Sequence, residues 1–466
     1  MSAGRTTTIL MILLALLLLM IACGDDYQPE EVKEHFFGPT RLAVHPDVLQ
    51  DEGPLLYAVN TWGGSMTIIR VVGYDIIKDH SLDPYNPDVI WLGKAPHDIV
   101  ITPDGGTLYV TDALRDAVRL VDPEDPWTVS ELDLEFDGAR LDVVPPVIDR
   151  DTLEFTTPEV WRERPEIWFM DGANDRLVVW DHAAMEVAGE VALPSTPVEI
   201  EVSVDGQSVF VTSVDGMLRV VDAAAQALTD IEVFLGGKPG AIAENSDNDD
   251  LYVLNIDPPQ LHIIDRRDWQ QTDEEIYFHA ALNDMALSTS GAYGFVTSDD
   301  GFLYYFFPRQ RRVCGSSYEP PRFFDKGPNS NPELTDIQTK DCLTSEEEWR
   351  ISYLQSIDAW EVEGTSSGLQ FTYAATGQAY ASDRDEIRFV IRAGDRAPSD
   401  GDTFRLFTDS GEPPVPIGTV PRGVIVSPVA DDEEFFGEDR VFVADPGTNS
   451  VTRLITFETD NRNIID

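Results

Sequence analysis

The chain has 466 residues, 42% of them hydrophobic and 10% aromatic, which is enough for one large domain with a smaller module and excludes a disordered acidic chain. Its 84 acidic and 33 basic side chains give a formal net charge of −51. Such a balance argues against nucleic-acid binding, which needs a phosphate-neutralising basic face, and against intimate contact with lipid headgroups.

The first 22 residues predict an export signal. Arg5 supplies the positive charge, and the 14-residue apolar run from Ile9 to Ala22 is short for a membrane-spanning helix. The run ends in Ala22-Cys23-Gly24, which resembles the lipobox of bacterial lipoproteins. That resemblance implies that Cys23 is lipidated and anchors the protein in the cell envelope, and Gly24 implies export to the outer membrane, on its periplasmic or its outer surface. An ordinary signal peptide with an incidental cysteine is the alternative.

A β-strand repeat follows a polar tether of residues 23–36 and is clearest at residues 95–122. Three short stretches there alternate apolar and polar residues, and Pro103-Asp104-Gly105-Gly106 predicts a tight turn between the first two. An aromatic residue anchors the second strand of each copy, with a base period of about 42 residues. This period, with four strands per copy, is typical of a β-propeller. The seven anchors are Tyr57, Tyr109, Trp168, Phe210, Tyr252, Phe295 and Phe442.

The sequence pattern of the copies also points to a family. One copy reads Pro-x-x-Ile-x-Ile-x-Pro-Asp-Gly, followed by Leu-Tyr-Val-Thr-Asp and Val-x-Leu-Val-Asp. With these residues it resembles the YVTN-type β-propeller repeat family, which includes surface-layer and YncE-like secreted propellers. The resemblance covers roughly residues 37–308 and 417–456. Together with the seven copies it implies a seven-bladed β-propeller. It implies no reaction, because propellers host many unrelated activities.

Residues 309–416 interrupt the period. Alternating stretches there, such as Trp349–Tyr353, Leu369–Tyr373 and Phe404–Phe407, predict a small all-β module inserted between blades six and seven. Long strands of blade seven are the alternative. Blades one to six then occupy residues 37–308, and blade seven with a C-terminal tail occupies residues 417–466. Either Val32–Phe37 or the C-terminal Ile464-Ile465 supplies the strand that closes the ring.

The chain has three cysteines. If Cys23 carries lipid, Cys314 and Cys342 remain as a pair in an oxidising compartment, which predicts a disulfide across a loop of irregular sequence. Closing this loop is worth about 3–4 kcal/mol on the chain-entropy view of disulfides. Two buried thiols are the alternative.

The positions that open each first strand predict the mouth of the central channel. The residues that follow the opening proline or its equivalent are Thr40, His97, Ala139, Val198, Gly240, Asn283 and Arg422. The next position in each copy holds Arg41, Asp98, Arg140, Glu199, Ala241, Asp284 and Gly423. One interpretation of these mixed charges is a set of salt bridges that lock the blades together. The other is a polar ligand site whose contacts are Arg41, His97, Arg140 and Arg422, with bidentate capture of a carboxylate by the arginines.

Catalytic motifs give little support to an enzyme. Gly364-Thr365-Ser366-Ser367-Gly368 matches Gly-x-Ser-x-Gly, but it joins two predicted strands and no histidine follows it, so a hairpin turn is expected. The histidines do not form a His-Glu-x-x-His motif, and Cys-x-x-Cys is absent. We therefore expect no catalytic residue, no metal site and no cofactor. Weak divalent-cation binding by surface aspartates is an alternative explanation of the acidity.

Two functions remain open. The first is a non-catalytic envelope lipoprotein, held to the membrane by its N-terminal lipid, whose propeller binds a protein, peptide or glycan. The second is a propeller-type hydrolase such as a lactonase. A cluster of histidine and acidic side chains around a divalent ion at the channel mouth would favour the enzyme.

Overall fold

The computed structural model describes residues 30–32, 36–47, 54–71, 89–136, 138–148, 154–245, 248–272, 276–278, 280–309, 312–314, 316–326, 331–340, 344–411, 414–431 and 435–457. Antiparallel strands dominate these residues, so the prediction of an all-β chain is confirmed. The helices in the described ranges are the short α1 (Glu159–Glu163) and a 3-10 turn at Gly172–Asn174. No helix in these ranges is long and apolar enough to cross a membrane.

Strands are numbered in chain order, and β1 (Glu30–Val32) belongs to the last of seven similar sheets. Sheet 1 contains β2 (Pro39–Val44), β3 (Leu55–Asn60), β4 (Ser65–Arg70) and β5 (Ile90–Trp91). Sheet 2 contains β6 (Pro96–Ile101), β7 (Leu108–Asp112), β8 (Ala117–Asp122) and β9 (Asp125–Asp133). Sheet 3 begins with β10 (Gly138–Val143), and a hairpin of β11 (Val147–Ile148) and β12 (Phe155–Thr156) precedes α1. It continues with β13 (Glu166–Asp171), β14 (Arg176–Asp181) and β15 (Glu186–Ala192).

The next three sheets repeat this meander. Sheet 4 contains β16 (Pro197–Val202), β17 (Ser208–Ser213), β18 (Met217–Asp222) and β19 (Ala227–Phe234). Sheet 5 contains β20 (Pro239–Asn245), β21 (Asp250–Asn255), β22 (Gln260–Asp265), β23 (Gln270–Gln271) and β24 (Ile276–Tyr277). Sheet 6 contains β25 (Leu282–Leu287), β26 (Gly294–Ser298), β27 (Phe302–Phe307) and β28 (Arg312–Val313).

The interrupting segment forms a separate unit, the inserted module. Its strands are β29 (Ser317–Tyr318), β30 (Arg322–Phe324), β31 (Glu333–Thr339), β32 (Glu347–Leu354), β33 (Ala359–Gly364), β34 (Gly368–Leu369), β35 (Ala379–Ala381), β36 (Ile387–Arg392) and β37 (Thr403–Asp409). Strands β31, β36 and β35 form sheet B, and the other six form sheet A. The two sheets share a core of their own that includes Trp349, Trp360 and Phe389. Burial of this core explains the alternating pattern in the sequence.

The module leaves sheet 6 and returns to it. After sheet A the chain forms β38 (Val415–Pro416), which pairs with β27 of sheet 6 beside the earlier partner β28. The insertion therefore lies within the outer edge of sheet 6, not between two complete sheets. The predicted strand Leu369–Tyr373 is shorter than expected. Only Gly368–Leu369 pairs as a strand, because the backbone N–H of Phe371 donates to the Asp383 carboxylate at 2.7 Å.

Sheet 7 joins the two ends of the described chain. It contains β39 (Gly423–Asp431), β40 (Phe435–Asp445) and β41 (Ser450–Phe457), and β1 pairs with β41 as the outer strand. Ile464 and Ile465 lie outside the described residues. The N-terminal side of the chain thus supplies an edge strand to the C-terminal sheet.

The seven sheets contact one another in cyclic order through their first strands. Each first strand contacts the next in the series β2, β6, β10, β16, β20, β25 and β39, and β39 contacts β2 again. Apolar clusters fill the spaces between neighbouring sheets. The aromatic anchors predicted from the repeat, such as Tyr57, Tyr109 and Phe210, are fully buried there. This arrangement is compatible with a β-propeller.

Candidate functional site

A local irregularity in the first strands builds the site. In six of the described sheets, the pairing of the first and second strands shifts directly after the opening residue. In sheet 1, for example, Pro39 pairs with Asn60 and Arg41 with Val59, so Thr40 is an extra residue. A bulge of this kind changes the direction of the neighbouring side chains. It lies where the sequence places the mouth of the channel.

The structure brings the four predicted contact residues together. Arg41, His97, Arg140 and Arg422 all line one cavity of about 460 Å³ at this end of the ring. We call it the mouth cavity. Thr40 and Asn283, which occupy the same aligned position, line it too, so the alignment within the repeat locates the cavity from sequence alone.

Lys238 and Trp62 also line the mouth cavity, although they were not expected from the sequence. Lys238 immediately precedes the opening Pro239 of sheet 5, and the alignment began one residue too late to include it. Trp62 lies in the turn between β3 and β4, and Asp299 lies in the turn between β26 and β27. Five of the side chains that line the mouth cavity can carry a positive charge, and Asp299 is the one carboxylate in this lining. The cavity therefore reverses the charge balance of the chain.

A second cavity lies further along the first strands. This channel cavity has a volume of about 220 Å³ and shares Arg41 and Arg140 with the mouth cavity. Its acidic lining residues are Asp98, Asp142, Glu199, Glu201 and Asp284. Cationic side chains at the mouth thus lie directly above a ring of carboxylates.

Arg41 is the central charge of this ring. Its guanidinium lies 3.0 Å from the Asp284 carboxylate and 3.8 Å from both Asp98 and Glu199. Burial lowers the pKa of Arg41, but these three carboxylates raise it further, so the net shift is upward and the charge is permanent. Arg140 pairs with Glu199 at 2.9 Å. Two arginines are therefore shared among three of the five carboxylates, namely Asp98, Glu199 and Asp284.

The carboxylates also connect neighbouring sheets through backbone N–H groups. Asp142 accepts a hydrogen bond from Val202 of the next sheet at 2.6 Å, and Asp284 accepts one from Val424 at 3.1 Å. Asp98 accepts a longer one from Leu141, at 3.4 Å. These contacts and the ion pairs of Arg41 agree with the interpretation that the charged positions lock the ring.

Burial raises the pKa of several of these carboxyl groups. It raises the pKa of Asp98 to about 6, although Arg41 opposes the shift. Burial likewise raises the pKa of Asp142 to about 7, against hydrogen bonds from Val202 and Val143. Burial and the neighbouring Asp142 raise the pKa of Glu201 well above its ordinary value. The ring is therefore less negative at neutral pH than its composition suggests.

Arg422 belongs to a looser network at the mouth. Its guanidinium donates to the Asn283 side chain and lies 3.4 Å from Asp299, in a half-exposed ion pair. Asn283 in turn donates to the carbonyl of Pro421 at 2.7 Å. Arg422 is thus much closer to solvent than Arg41 and is held by fewer charges.

The remaining sequence motifs have structural explanations or lie outside the described residues. Ser366 and Ser367 sit in the turn between β33 and β34, where their backbone N–H groups donate to Glu347 at 2.8 and 3.0 Å. Cys314 is buried and disulfide-bonded. Cys23 and Cys342 lie outside the described residues, so lipidation and the pairing with Cys342 stay predictions. In the described ranges, no group of three or more His, Cys, Asp and Glu side chains is arranged to hold a metal ion.

Comparison with known proteins gives matches among solved structures. No protein-family profile matches the chain, and no curated protein sequence matches it. Among solved structures, the chain is similar to the hydrazine synthase of Kuenenia stuttgartiensis, with 15% sequence identity over 59% of this chain and 78% of that chain and a TM-score of 0.45. A likeness at this level carries no argument about activity.

Proposed function

We propose that the protein is a lipid-anchored, seven-bladed β-propeller of the bacterial cell envelope that binds a protein or peptide at its mouth and performs no catalysis. The mouth cavity carries this proposal. Cationic side chains converge there in a chain with a net charge of −51, and four of them were expected from the repeat alignment. The cyclic contacts between seven sheets support the blade count, with one sheet for each copy of the repeat.

Exposed apolar side chains of sheets 1, 2, 4 and 5 lie at the same end of the sheets as the mouth cavity. Among the large apolar side chains described in sheets 1–7 and their connections, seven are more than half exposed. We call them the mouth rim: Phe37, Trp62, Trp91, Leu114, Val214, Phe234 and Tyr277. All seven lie at the mouth end of their sheets, in turns between second and third strands or beside the strand ends that flank these turns. Apolar residues concentrated on one end of a monomer mark an interaction surface.

The two features define the chemistry of the partner. A carboxylate enters the mouth cavity and is held by Arg140, Arg422 and Lys238, while apolar side chains of the partner cover the mouth rim. Arg41 is held by three carboxylates and positions the floor of the cavity. A protein segment that combines acidic and aromatic or aliphatic residues meets both requirements, whereas a purely polar glycan leaves the rim uncovered.

Selection from a displayed library of random peptides tests the proposal. The protein should enrich acidic peptides that contain aromatic or aliphatic residues, with saturable binding. Because charge-assisted hydrogen bonds contribute about 1.5–3 kcal/mol, Arg140→Gln and Arg422→Gln should each weaken binding about tenfold or more. Arg267→Gln is the matched control, since Arg267 is 70% exposed and pairs with Asp265 at the opposite end of sheet 5. Enrichment of basic peptides would contradict the proposal, and measurable hydrolysis of lactone substrates would favour the lactonase alternative.

A further inference from the structure

Sheet A of the inserted module has one buried and one outward face. Along β32, Trp349, Ile351 and Tyr353 pack into the module core, while the intervening Glu348 and Arg350 are open to solvent. Strand β37 alternates in the same way, with Arg405 and Phe407 outside. This outer face takes no part in the mouth cavity or the mouth rim.

The strand register aligns a row of long side chains across the outer face. Arg322 of β30 lies opposite Arg405 of β37, which lies opposite Arg350 of β32. The row continues with Glu363 of β33 and Leu369 of β34. Neighbouring strands lie about 4.8 Å apart, so the row repeats at nearly the spacing of sugar rings in an extended oligosaccharide.

Aromatic rings flank this row on both sides. Phe324 is 46% exposed and Phe407 is 38% exposed. The Arg405 guanidinium lies 5.3 Å from the centre of the Phe324 ring and 3.1 Å from the Glu348 carboxylate. The Phe324 ring is therefore held from one side by Arg405, while both aromatic side chains remain partly open to solvent.

Two clefts open on this face. One, of about 340 Å³, is lined by Arg322, Phe324 and Phe407, and the other, of about 420 Å³, by Arg350, Glu363 and the β33–β34 turn. Glu348 and Arg405 line both clefts, so their ion pair separates them. The arrangement offers two adjacent subsites in one line.

We propose that the outer face of sheet A binds an uncharged oligosaccharide. Sugar rings pack against Phe324 and Phe407, and their hydroxyl groups bond to the alternating arginine and glutamate side chains of the row. A hydroxyl both donates and accepts, so it suits a surface on which guanidinium and carboxylate groups are neighbours. Three arginines and three glutamates line the two clefts, which gives no net charge for a polyanion to exploit.

The sheet geometry disfavours a peptide at the same place. Strands β32 and β37 form the floor of the clefts, and each is paired on both edges. A peptide that adds to a sheet needs an open edge for its backbone hydrogen bonds. A ligand on this face is held by side chains alone.

Native gel electrophoresis of the detergent-solubilised full-length protein tests this site. The gels contain a soluble β-glucan, a xylan, polygalacturonate or no polysaccharide. The protein should be retarded by at least one of the two neutral polysaccharides. Phe407→Ala and Arg405→Gln should each lower the affinity about tenfold or more, by removing a ring face and a charged hydrogen-bond donor.

Matched variants separate the proposed site from other surfaces. Tyr277→Ala removes an exposed aromatic ring of the mouth rim, and Arg392→Gln removes a 61% exposed arginine of sheet B. Both should leave the retardation unchanged, so failure of the mouth proposal would not affect this result. The proposal is wrong if neither neutral polysaccharide retards the protein, including the case in which polygalacturonate alone retards it. Retardation that survives both Phe407→Ala and Arg405→Gln would also refute it.

Discussion

The raised pKa values of the channel carboxylates predict that the protein loses stability as the pH rises from about 4 to about 7. Asp142 makes a larger contribution than Asp98, the other channel carboxylate with a numerical pKa. Burial raises the pKa of Asp142 from 3.8 to about 7 in the folded protein. In the unfolded chain Asp142 is ionised above pH 4, whereas in the folded chain it keeps its proton up to about pH 7. Unfolding therefore releases a proton within this window, and a higher pH favours unfolding. Below and above this window, Asp142 carries the same charge in the folded and unfolded chain and adds nothing to the pH dependence of stability.

The magnitude follows from the two pKa values. Each pH unit between them is worth about 1.4 kcal/mol, so Asp142 alone lowers the free energy of unfolding by about 4 kcal/mol between pH 4 and pH 8. Burial also raises the pKa of Asp98, to about 6, which adds a change of the same sign. Urea titrations followed by tryptophan fluorescence at several pH values between 4 and 8 measure the combined slope.

Asp142→Asn isolates the contribution of this one group. The amide oxygen can still accept the hydrogen bond from Val202, which is 2.6 Å long in the wild type, but the side chain can no longer ionise. The variant should have a clearly shallower slope than the wild type, with the remainder coming from groups such as Asp98 and Glu201, and it should exceed the wild type in stability at pH 8. Asp222→Asn is the control, because Asp222 is exposed and caps a turn by accepting from Ala225 at 2.8 Å. Equal slopes in the wild type and Asp142→Asn, or equal flattening by Asp222→Asn, would refute the reasoning.

Three other predictions follow from the same structure and sequence. Arg41→Gln should destabilise the protein by about 3–5 kcal/mol, because it leaves three buried carboxylates without their shared cation. Denaturant midpoints should show this loss, whereas the control Arg267→Gln, at an exposed surface ion pair, should leave the midpoint nearly unchanged. Cys314→Ser should cost about 3–4 kcal/mol if the partner is Cys342; non-reducing peptide mapping that finds a different partner would contradict the pairing. Cys23→Ala should release the protein from membranes in cell fractionation, and a variant that still sediments fully with membranes and matures at the same residue would rule out the lipid anchor.

The repeat made most of the architecture predictable. An aromatic anchor such as Tyr109 or Phe295 is buried between two sheets, so each copy has to place one at the same position. Period-two alternation also predicted the module, because sheet A buries one face against sheet B. These features depend on local spacing, which a single sequence displays directly.

The pairing of distant strands was not predictable in the same way. In sheet A the spatial order is β29, β37, β32, β33, β34, so strands about 90 residues apart in the chain are neighbours. The pairing of β38 with β27 likewise depends on where the module returns the chain. The shortening of the strand at Phe371 depends on the Asp383 carboxylate, twelve residues further along. Each outcome is decided by tertiary contacts that local alternation does not encode.

The candidate site combines features that the sequence predicts with features that depend on distant contacts. The internal alignment placed His97 and Arg422 at one position and Arg41 and Arg140 at the next, and all four line the mouth cavity. The same alignment could not show that Arg41 reaches Asp284, 243 residues further along the chain. That contact joins sheet 1 to sheet 6, past sheet 7 between them, so it depends on how the sheets are arranged around the channel and on the length of both side chains. The ring interpretation and the ligand interpretation therefore looked like alternatives in the sequence.

If the mouth binds a ligand as we propose, the two roles fall on successive positions of the same bulge. In sheets 2 and 6, the first position (His97 or Asn283) lines the mouth cavity, and the next (Asp98 or Asp284) lines the channel cavity. The inner position is restrained by ion pairs and by N–H groups of the neighbouring sheet, so a substitution there acts first on stability. The outer position is closer to solvent, so a substitution there can change what the mouth binds without unlocking the ring. Arg41 occupies the inner position and lines both cavities, which makes it the residue through which ligand binding and ring stability should be coupled.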